Sequence, residues 1–508
     1  MQHSGYFTSL SYSAGYFSGM NPVQAKIFRK LCLSENSEVT TACELGFGNG
    51  LSLCIHAATS KTVWYGTDLM PEHVAFAKDL TIKSGVKNYL YNEDFAQFCA
   101  REELPQFDFI ALHGVWSWIN EQNRSIIINF IRRKLNPGGM LYISYNSLPG
   151  QSQLQPFRHI FKKYYESELN IATDDIQAIP NAIERVSKVL ELDARAFKEN
   201  GTVKEHVLNL KNREIAYLGH EYLNDSWEPM YFDRVDSDLR KAGLSFLSSS
   251  HFIDHIPAFS FDASQYEFLS KIQDSTERQL TIDYITNRQF RREYWVKEEG
   301  LQALEVNLTK FSDDTHFVQI VPDTAIKLSI KADATSISLS RSFYEPFCAC
   351  FSGTRSPAFS ELVSRMSHHG ADRRQVGEAV GIFLACGYIE VAVERVSDEC
   401  EQRTLSLNNY LIQLSLSNLD IKFLASTKTQ GGVYLPRLHL LFLSLDKHEK
   451  KQAQLEQVLS LFERNQEVLR DSKGEVVSSG DLVAEISNQY DDFTSEHLPR
   501  YRKLGIIE

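Results

Sequence analysis

Residues 42–58 read ACELGFGNGLSLCIHAA, with glycine at 46, 48 and 50 between an apolar run and an amphipathic one. A residue without Cβ can adopt positive φ and lets the backbone pass close to another molecule. Residues 39–45, VTTACEL, have the composition of a buried strand, and Leu51, Cys54, Ile55 and Ala58 then recur at helical spacing. The stretch is a strand, a glycine loop and a helix, and the same alternation continues beyond it. VWYGTDL at 63–69 predicts a second strand ending near Asp68, followed by a helix over 73–85 with Gly85 as its C-cap. NYLYNED at 88–94, FDFIALHG at 107–114 and MLYISYN at 140–146 predict three more strands, with a helix over 123–136 stopped by Pro137 and Gly138. Such alternation predicts an α/β fold with a parallel, doubly wound sheet and a ligand at the carboxyl ends of its strands.

The glycine spacing does not fit the dinucleotide fingerprint G-x-G-x-x-G. Counted from Gly46, that pattern needs a glycine at 51, where Leu51 stands. The order acid-x-Gly-x-Gly-x-Gly, with Glu44 as the acid, resembles the S-adenosylmethionine-dependent methyltransferases of the Rossmann-like class. That cofactor has no pyrophosphate, so the glycines serve close approach more than anion binding. Asp68 lies at the end of strand two, where a carboxylate can accept both ribose hydroxyls. Asp94, ending strand three, is placed for the adenine amino group, and Phe95 for stacking on the ring. Phe47 and Asn49 in the loop, and Leu69 after Asp68, complete the expected cofactor contacts. The alternative is a glycine-rich tight turn with two surface acids.

The acceptor side is less explicit. Strand four runs into HGVWSWI at 113–119, with no Asn-Pro-Pro-aromatic motif and no Pro-Cys nucleophile. Strand five runs into SYNSLPG at 144–150. His113, Trp116, Trp118, Tyr145 and Asn146 are therefore expected around an aromatic, polar mouth. Aromatic faces attract an ammonium, and an amine must lose a proton before it attacks. His113 and Tyr145 are candidates to assist, and Trp116 and Asn146 are grouped with them as catalytic candidates. Equally, the tryptophans could be packing residues and His113 a wall of the cofactor pocket.

ELGFGNG, FDFIALHGVWSWI and LNPGGMLYISYNSLPG resemble the bacterial methyltransferases that carry a methyltransferase regulatory domain. That group includes rickettsial-type protein lysine methyltransferases that act on outer-membrane proteins. The resemblance extends through residues 217–247 and 279–295, covering roughly 6–295. It implies S-adenosylmethionine at Gly46, Gly48, Gly50, Asp68 and Asp94, and it suggests transfer to a lysine Nε of a protein substrate, such as an outer-membrane or other surface protein. Phe47 departs from the small residue or cysteine common at that position.

Residues 1–38 read as an N-terminal arm whose Tyr6, Tyr12, Tyr16 and Phe17 either fold over the cofactor or simply pack. Tyr12 is counted among the substrate-side candidates. The methyltransferase core is expected over 39–150 and 232–262, with a helical lid over 151–231 carrying His220 and Glu221. These two residues either face the site or tie the lid down, and His220 is counted with the substrate residues. A middle domain is expected over 263–342, with a hairpin at 325–340. A winged-helix-like unit follows over 343–400, and a C-terminal domain over 401–508. The segments FLACGYIEV at 383–391 and YRKLGIIE at 501–508 each end a helix, helix, glycine, strand pattern. The formal net charge of −12 disfavours a nucleic-acid partner, so these units read as protein-docking modules. The eight cysteines show no zinc or disulfide framework, so no metal is expected. The start is not a charged leader with an apolar core, and no run is long enough to span a bilayer. The expected location is the cytoplasm. The pattern leaves open a small-molecule acceptor, a non-catalytic regulator and the oligomeric state.

Overall fold

The computed structural model describes residues 7–508 except 8–9, 11–13, 35–37, 173, 193, 199–200, 299–300, 302–304, 332–335, 354–355, 447, 471–474 and 479. Five parallel strands form in the predicted places: β1 (Thr41–Leu45), β2 (Val63–Asp68), β3 (Tyr89–Asn92), β4 (Phe107–Leu112) and β5 (Leu135–Asn146). Two later strands, β6 (Ser245–Ser249) and β7 (Phe290–Val296), complete a seven-stranded sheet of order β3-β2-β1-β4-β5-β7-β6. β7 is antiparallel to both its neighbours. The register sets Glu44 opposite Gly66 and Ala111, and Asp68 opposite Asn92, so β1 to β4 end along one edge. This is the Rossmann-like methyltransferase sheet.

The helices between the strands carry local signals. α1 (Pro22–Leu33) precedes the sheet and is capped by the Asn21 side chain. α2 (Leu51–Thr59) follows the glycine loop, and α3 (Pro71–Ser84) ends at Gly85 with φ 71°, its N–H returning to Thr81 and Ile82 carbonyls. α4 (Phe95–Cys99) starts with a reciprocal capping box between Asp94 and Gln97. α5 (Glu121–Lys134) is capped by Asn120.

One boundary is corrected. The core was expected to close at residue 262 with the strand in 244–255. That strand forms as β6 but lies at the sheet edge, and β7 inserts between it and β5. The core sheet therefore runs to Val296. β7 gave little apolar signal because its inward face carries charge. Arg291 and Glu293 are 4% and 1% exposed, and Arg291 Nε donates to both oxygens of the fully buried Asp283 at 2.9 and 3.0 Å. Trp295 Nε1 and Tyr145 Oη donate to Glu293 at 3.0 and 3.2 Å. Buried charges persist only when compensated in this way.

Residues 155–222 form a helical layer over the strand ends: α6 (Gln155–Leu169), α7 (Asp175–Glu191), α8 (Arg195–Lys198), α9 (Gly201–Leu210) and α10 (Ile215–Tyr222). It has its own core, built on Phe157, Phe161, Ile179, Ile183 and Tyr222. α11 (Phe232–Arg240) then leads back to β6.

The C-terminal half packs on the α2 and α3 side of the sheet. The helix Asp398–Ser415 reaches both: Thr404 Oγ1 donates to the Ala58 carbonyl at 3.4 Å, and Tyr410 Oη donates to the Asp79 carboxylate. The hairpin expected at 325–340 forms from Ser329–Lys331 and Ser336–Ser338. Helices Phe359–Ser367 and Arg373–Ala385, then Gly387 with φ 67°, lead into strand Ile389–Ala392, which pairs with His316–Gln319. This is a winged-helix-like arrangement. The similar pattern at the C-terminus does not end in a strand. Ile506 is buried, and its carbonyl accepts from Asn408 Nδ2 at 2.8 Å, a side-chain partner in place of a ladder. Among the described residues no helix is long and apolar enough to cross a membrane, and no His/Cys/Asp/Glu cluster could hold a metal ion.

Candidate active site

The glycine loop turns back over the end of β2. Gly46 N and Phe47 N both donate to the Thr67 carbonyl, at 2.9 and 3.3 Å. Gly46 and Gly50 adopt φ of 75° and 69°, conformations that side chains resist. A Cβ at position 46 would come within 2.7 Å of Val115 Cγ2, and one at position 50 within 2.6 Å of Ala77 Cβ. Asp68 ties the loop to the next turn. Its Oδ2 accepts from Gly48 N at 2.8 Å, its Oδ1 accepts from Met70 N at 2.9 Å, and His73 Nδ1 lies 3.1 Å from Oδ1.

These elements form the floor of a cleft of about 450 Å³, within the range of small-molecule sites. Glu44, Gly46, Phe47, Gly48, Asn49, Gly50, Asp68, Leu69, Asp94, Phe95 and His113 all line it. So do Trp118, Asn146, His220 and Glu221 from outside the glycine loop, and Gly15 and Phe17 from the arm. Glu44 is 3% exposed, and its Oε2 has no hydrogen-bond partner among the described residues. Burial, with the Asp68 charge adding to it, raises its carboxyl well above the usual range. Asp94 keeps Oδ1 on its helix cap, accepting from Gln97 N at 2.8 Å.

His113 is enclosed. The Phe17 ring stacks on it at 3.7 Å, and its Nδ1 lies 2.9 Å from Tyr142 Oη and 3.2 Å from Ser144 Oγ. Burial, then the charge of Arg292, pushes it down to about 3. A histidine held neutral this firmly is a weak proton acceptor at physiological pH. This environment favours the wall role over the base role.

Two expected mouth residues lie elsewhere. Trp116 and Tyr145 are 0% and 1% exposed and belong to the core on the other face of the sheet, with Leu112, Ile143 and Trp295. Strand alternation explains Tyr145: Ser144 points to His113, so its neighbour points away. Trp116 opens the short 3-10 turn Trp116–Trp118, which turns one indole inward and leaves the other at the cleft. Tyr6 and Tyr12 lie outside the described residues. Tyr16 does not cover the cleft but packs against a C-terminal hairpin formed by Phe423–Ser426 and Gly431–Tyr434. Its hydroxyl is 3.2 Å from His56 Nε2, and a Cβ on Gly432 would be 2.7 Å from its ring. The arm segment roofing the cleft is thus seated on the C-terminal half.

The cleft also contains Ser52, His73, Asn123, Asn224, Gln289 and Phe290, which the sequence reading did not single out. His73 follows Asp68 by five residues at the start of α3, a spacing that offered a signal. Phe290 opens β7 and offered none.

The fold and cleft define a methyltransferase of the class I, S-adenosylmethionine-dependent type. Residues 43–143 match the family model described as methyltransferase domain, and residues 214–297 the one described as predicted methyltransferase regulatory domain. An uncharacterized protein of Synechocystis is 30% identical over 99% of both chains. An uncharacterized protein of Rickettsia prowazekii is 27% identical over 51% of this chain and 45% of its own. The solved structure of PKMT2 from Rickettsia typhi in complex with AdoHcy superposes with a TM-score of 0.69 at 18% identity, covering 97% of this chain and 99% of that one. At that identity the likeness is one of fold, and it extends through the C-terminal half. The chain belongs to the family of bacterial methyltransferases that carry a methyltransferase regulatory domain. Its cofactor is S-adenosylmethionine, and the cleft suits it: a glycine cradle that a Cβ would fill, an orphaned buried carboxylate oxygen for an ammonium, and a carboxylate at the end of β2.

Proposed function

We propose that this enzyme transfers a methyl group to an amine of a protein, a lysine Nε, and that its C-terminal half holds the protein substrate. The observation that carries the reading is the composition of the cleft lining outside the glycine loop. It includes Trp118, Asn146 and Glu221. An aromatic face beside acceptor oxygens suits a cation that must be oriented. No thiol lines the cleft among the described residues.

On this reading Asp68 receives the ribose hydroxyls, Asp94 and Phe95 the adenine, and Glu44 the amino group of the cofactor's amino-acid end. The cofactor supplies an electrophilic methyl group on a sulfonium. Phe17 and His113 close the cleft on the methyl side and exclude water. The rickettsial PKMT2 fold, shared along the whole chain, supports a protein as the acceptor, as does a C-terminal half far larger than a small substrate needs. All eight cysteines are free, which suits the reducing cytoplasm as its location.

Trp118→Ala is expected to lower kcat/KM for protein acceptors about tenfold, in line with loss of ~1–2 kcal/mol of cation–π and apolar contact. Affinity for S-adenosylhomocysteine should stay within twofold. The reading itself is tested with methyl-labelled S-adenosylmethionine and a lysate of the source organism. Label on discrete protein bands supports it, and label confined to the small-molecule fraction rejects it.

A further inference from the structure

The cleft lining contains a carboxylate that no described hydrogen bond or ion pair uses. Glu221, in α10 of the helical layer, lines the cleft with Trp118 and Asn146. Among the described residues no hydrogen bond or ion pair engages its carboxylate, whereas its cationic neighbour is already occupied. Arg158 of α6 donates to the Asn224 carbonyl and lies 4.9 Å over the Trp227 ring, and Trp227 in turn packs on Trp118 at 6.3 Å. Arg158 therefore braces the tryptophan pair and leaves Glu221 open to the cleft.

We propose that Glu221 and Trp118 form the subsite for the acceptor's primary ammonium, and that the Glu221 carboxylate removes the proton this nitrogen must lose before transfer. The proposal rests on the amine reading above. The ammonium N–H bond breaks and its proton moves to a Glu221 oxygen, leaving the lone pair on nitrogen. That pair forms the nitrogen–carbon bond while the carbon–sulfur bond breaks, its electrons passing to sulfur. The product nitrogen carries the positive charge that the sulfonium gave up, and Glu221 returns its proton to water through the open side of the cleft.

The environment of Glu221 suits the task. Burial raises its carboxyl to about 7, and the Arg158 charge opposes that rise. Tyr217 and Tyr222 on α10 itself and Arg158 on α6 are the titratable groups that feel its charge, and Asp225 helps balance Arg158. A base of this strength is half ionised at neutral pH, where a free lysine amine, with a pKa of about 10.4, is almost wholly protonated.

The test compares wild type and Glu221→Gln for rate of methyl transfer to lysate protein at limiting acceptor, from pH 6 to 9.5. S-adenosylhomocysteine affinity is measured alongside by calorimetry. The expected result is a loss of about 10²-fold at pH 7.5 with cofactor affinity within twofold, which also reports an intact fold. The wild-type rate should climb through a pH of about 7 and level off. The variant rate should keep climbing toward the pKa of the amine, and Glu221→Asp should recover part of the loss. A Glu221→Gln rate within threefold of wild type overturns the proposal alone. A parallel fall in cofactor affinity also overturns it, by assigning Glu221 to the cofactor or the fold. A wild type that labels no amine removes the parent reading and this subsite with it.

Discussion

Asp68→Ala is expected to weaken binding of S-adenosylmethionine and S-adenosylhomocysteine by about 10²- to 10⁴-fold. A carboxylate accepting from two hydroxyls loses two charge-assisted hydrogen bonds, each worth roughly 1.5–3 kcal/mol, and a tenfold change in affinity is about 1.4 kcal/mol. The residue also positions the site, since its two oxygens accept from Gly48 N and Met70 N at 2.8 and 2.9 Å. Alanine therefore loosens the glycine loop as well as removing the acceptor. The sheet stays intact because Asp68 ends its strand and these bonds lie beyond the core. Calorimetric dissociation constants for wild type and variant, with circular dichroism as the control for folding, give the answer. An unchanged affinity would place the ribose elsewhere in the cleft.

Trp116→Ala is expected to act on stability and not on transfer. Trp116 is 0% exposed, packed in the core with Phe98, Leu112 and Ile127. Truncating a buried tryptophan leaves a cavity and costs about 3–5 kcal/mol, a large share of the stability of a typical domain. Its indole Nε1 has no partner among the described residues, so Trp116→Phe, which removes that buried donor, should cost much less. Denaturant unfolding of the three proteins measures both effects. If the Ala variant unfolds like wild type yet transfers methyl groups poorly, Trp116 belongs to the acceptor site after all. Trp118, two residues on, should show the reverse pattern.

The contrast between these two tryptophans marks how far the sequence could be read. The parallel strands were legible because each is a short apolar run bounded by a turn signal, and the residues expected at the cofactor stand at the ends of those strands, where they line the cleft. Glycine at alternate positions is a pattern with few physical uses, so Gly46, Gly48 and Gly50 pointed to a loop under a ligand. The acceptor side lacked such constraints. Which indole of Trp116 and Trp118 faces the cleft depends on a single short turn, and periodicity does not specify it. Tyr145 was misplaced by one residue of strand alternation, the error to which a period of two is most exposed. β7 was hidden by charges that read as surface and are in fact neutralised inside, Arg291 between Asp283 and Glu293. Phe17 could be named as an aromatic in the arm, but its stacking on His113 depends on a C-terminal hairpin some 400 residues away in sequence.

The position of that hairpin bears on the role of the C-terminal half. Gly431 and Gly432 leave room for the Tyr16 ring, and Asn21 Nδ2 donates to the Thr429 carbonyl at 3.3 Å. The residues between Tyr16 and Asn21 run past Phe17, the roof of the cleft. The arm that brings Phe17 to the cleft is therefore anchored on the C-terminal half.

On the proposed function, this cleft joins a methyl group from S-adenosylmethionine to a protein amine. The most direct measurement is the chemistry of the product. Protein labelled by the purified enzyme and methyl-labelled S-adenosylmethionine is hydrolysed in strong acid, and the released amino acids are separated. The label is expected to co-migrate with Nε-methylated lysines. Label that is lost as volatile methanol on mild alkaline treatment, or that co-migrates with a methylated arginine or histidine, would contradict it.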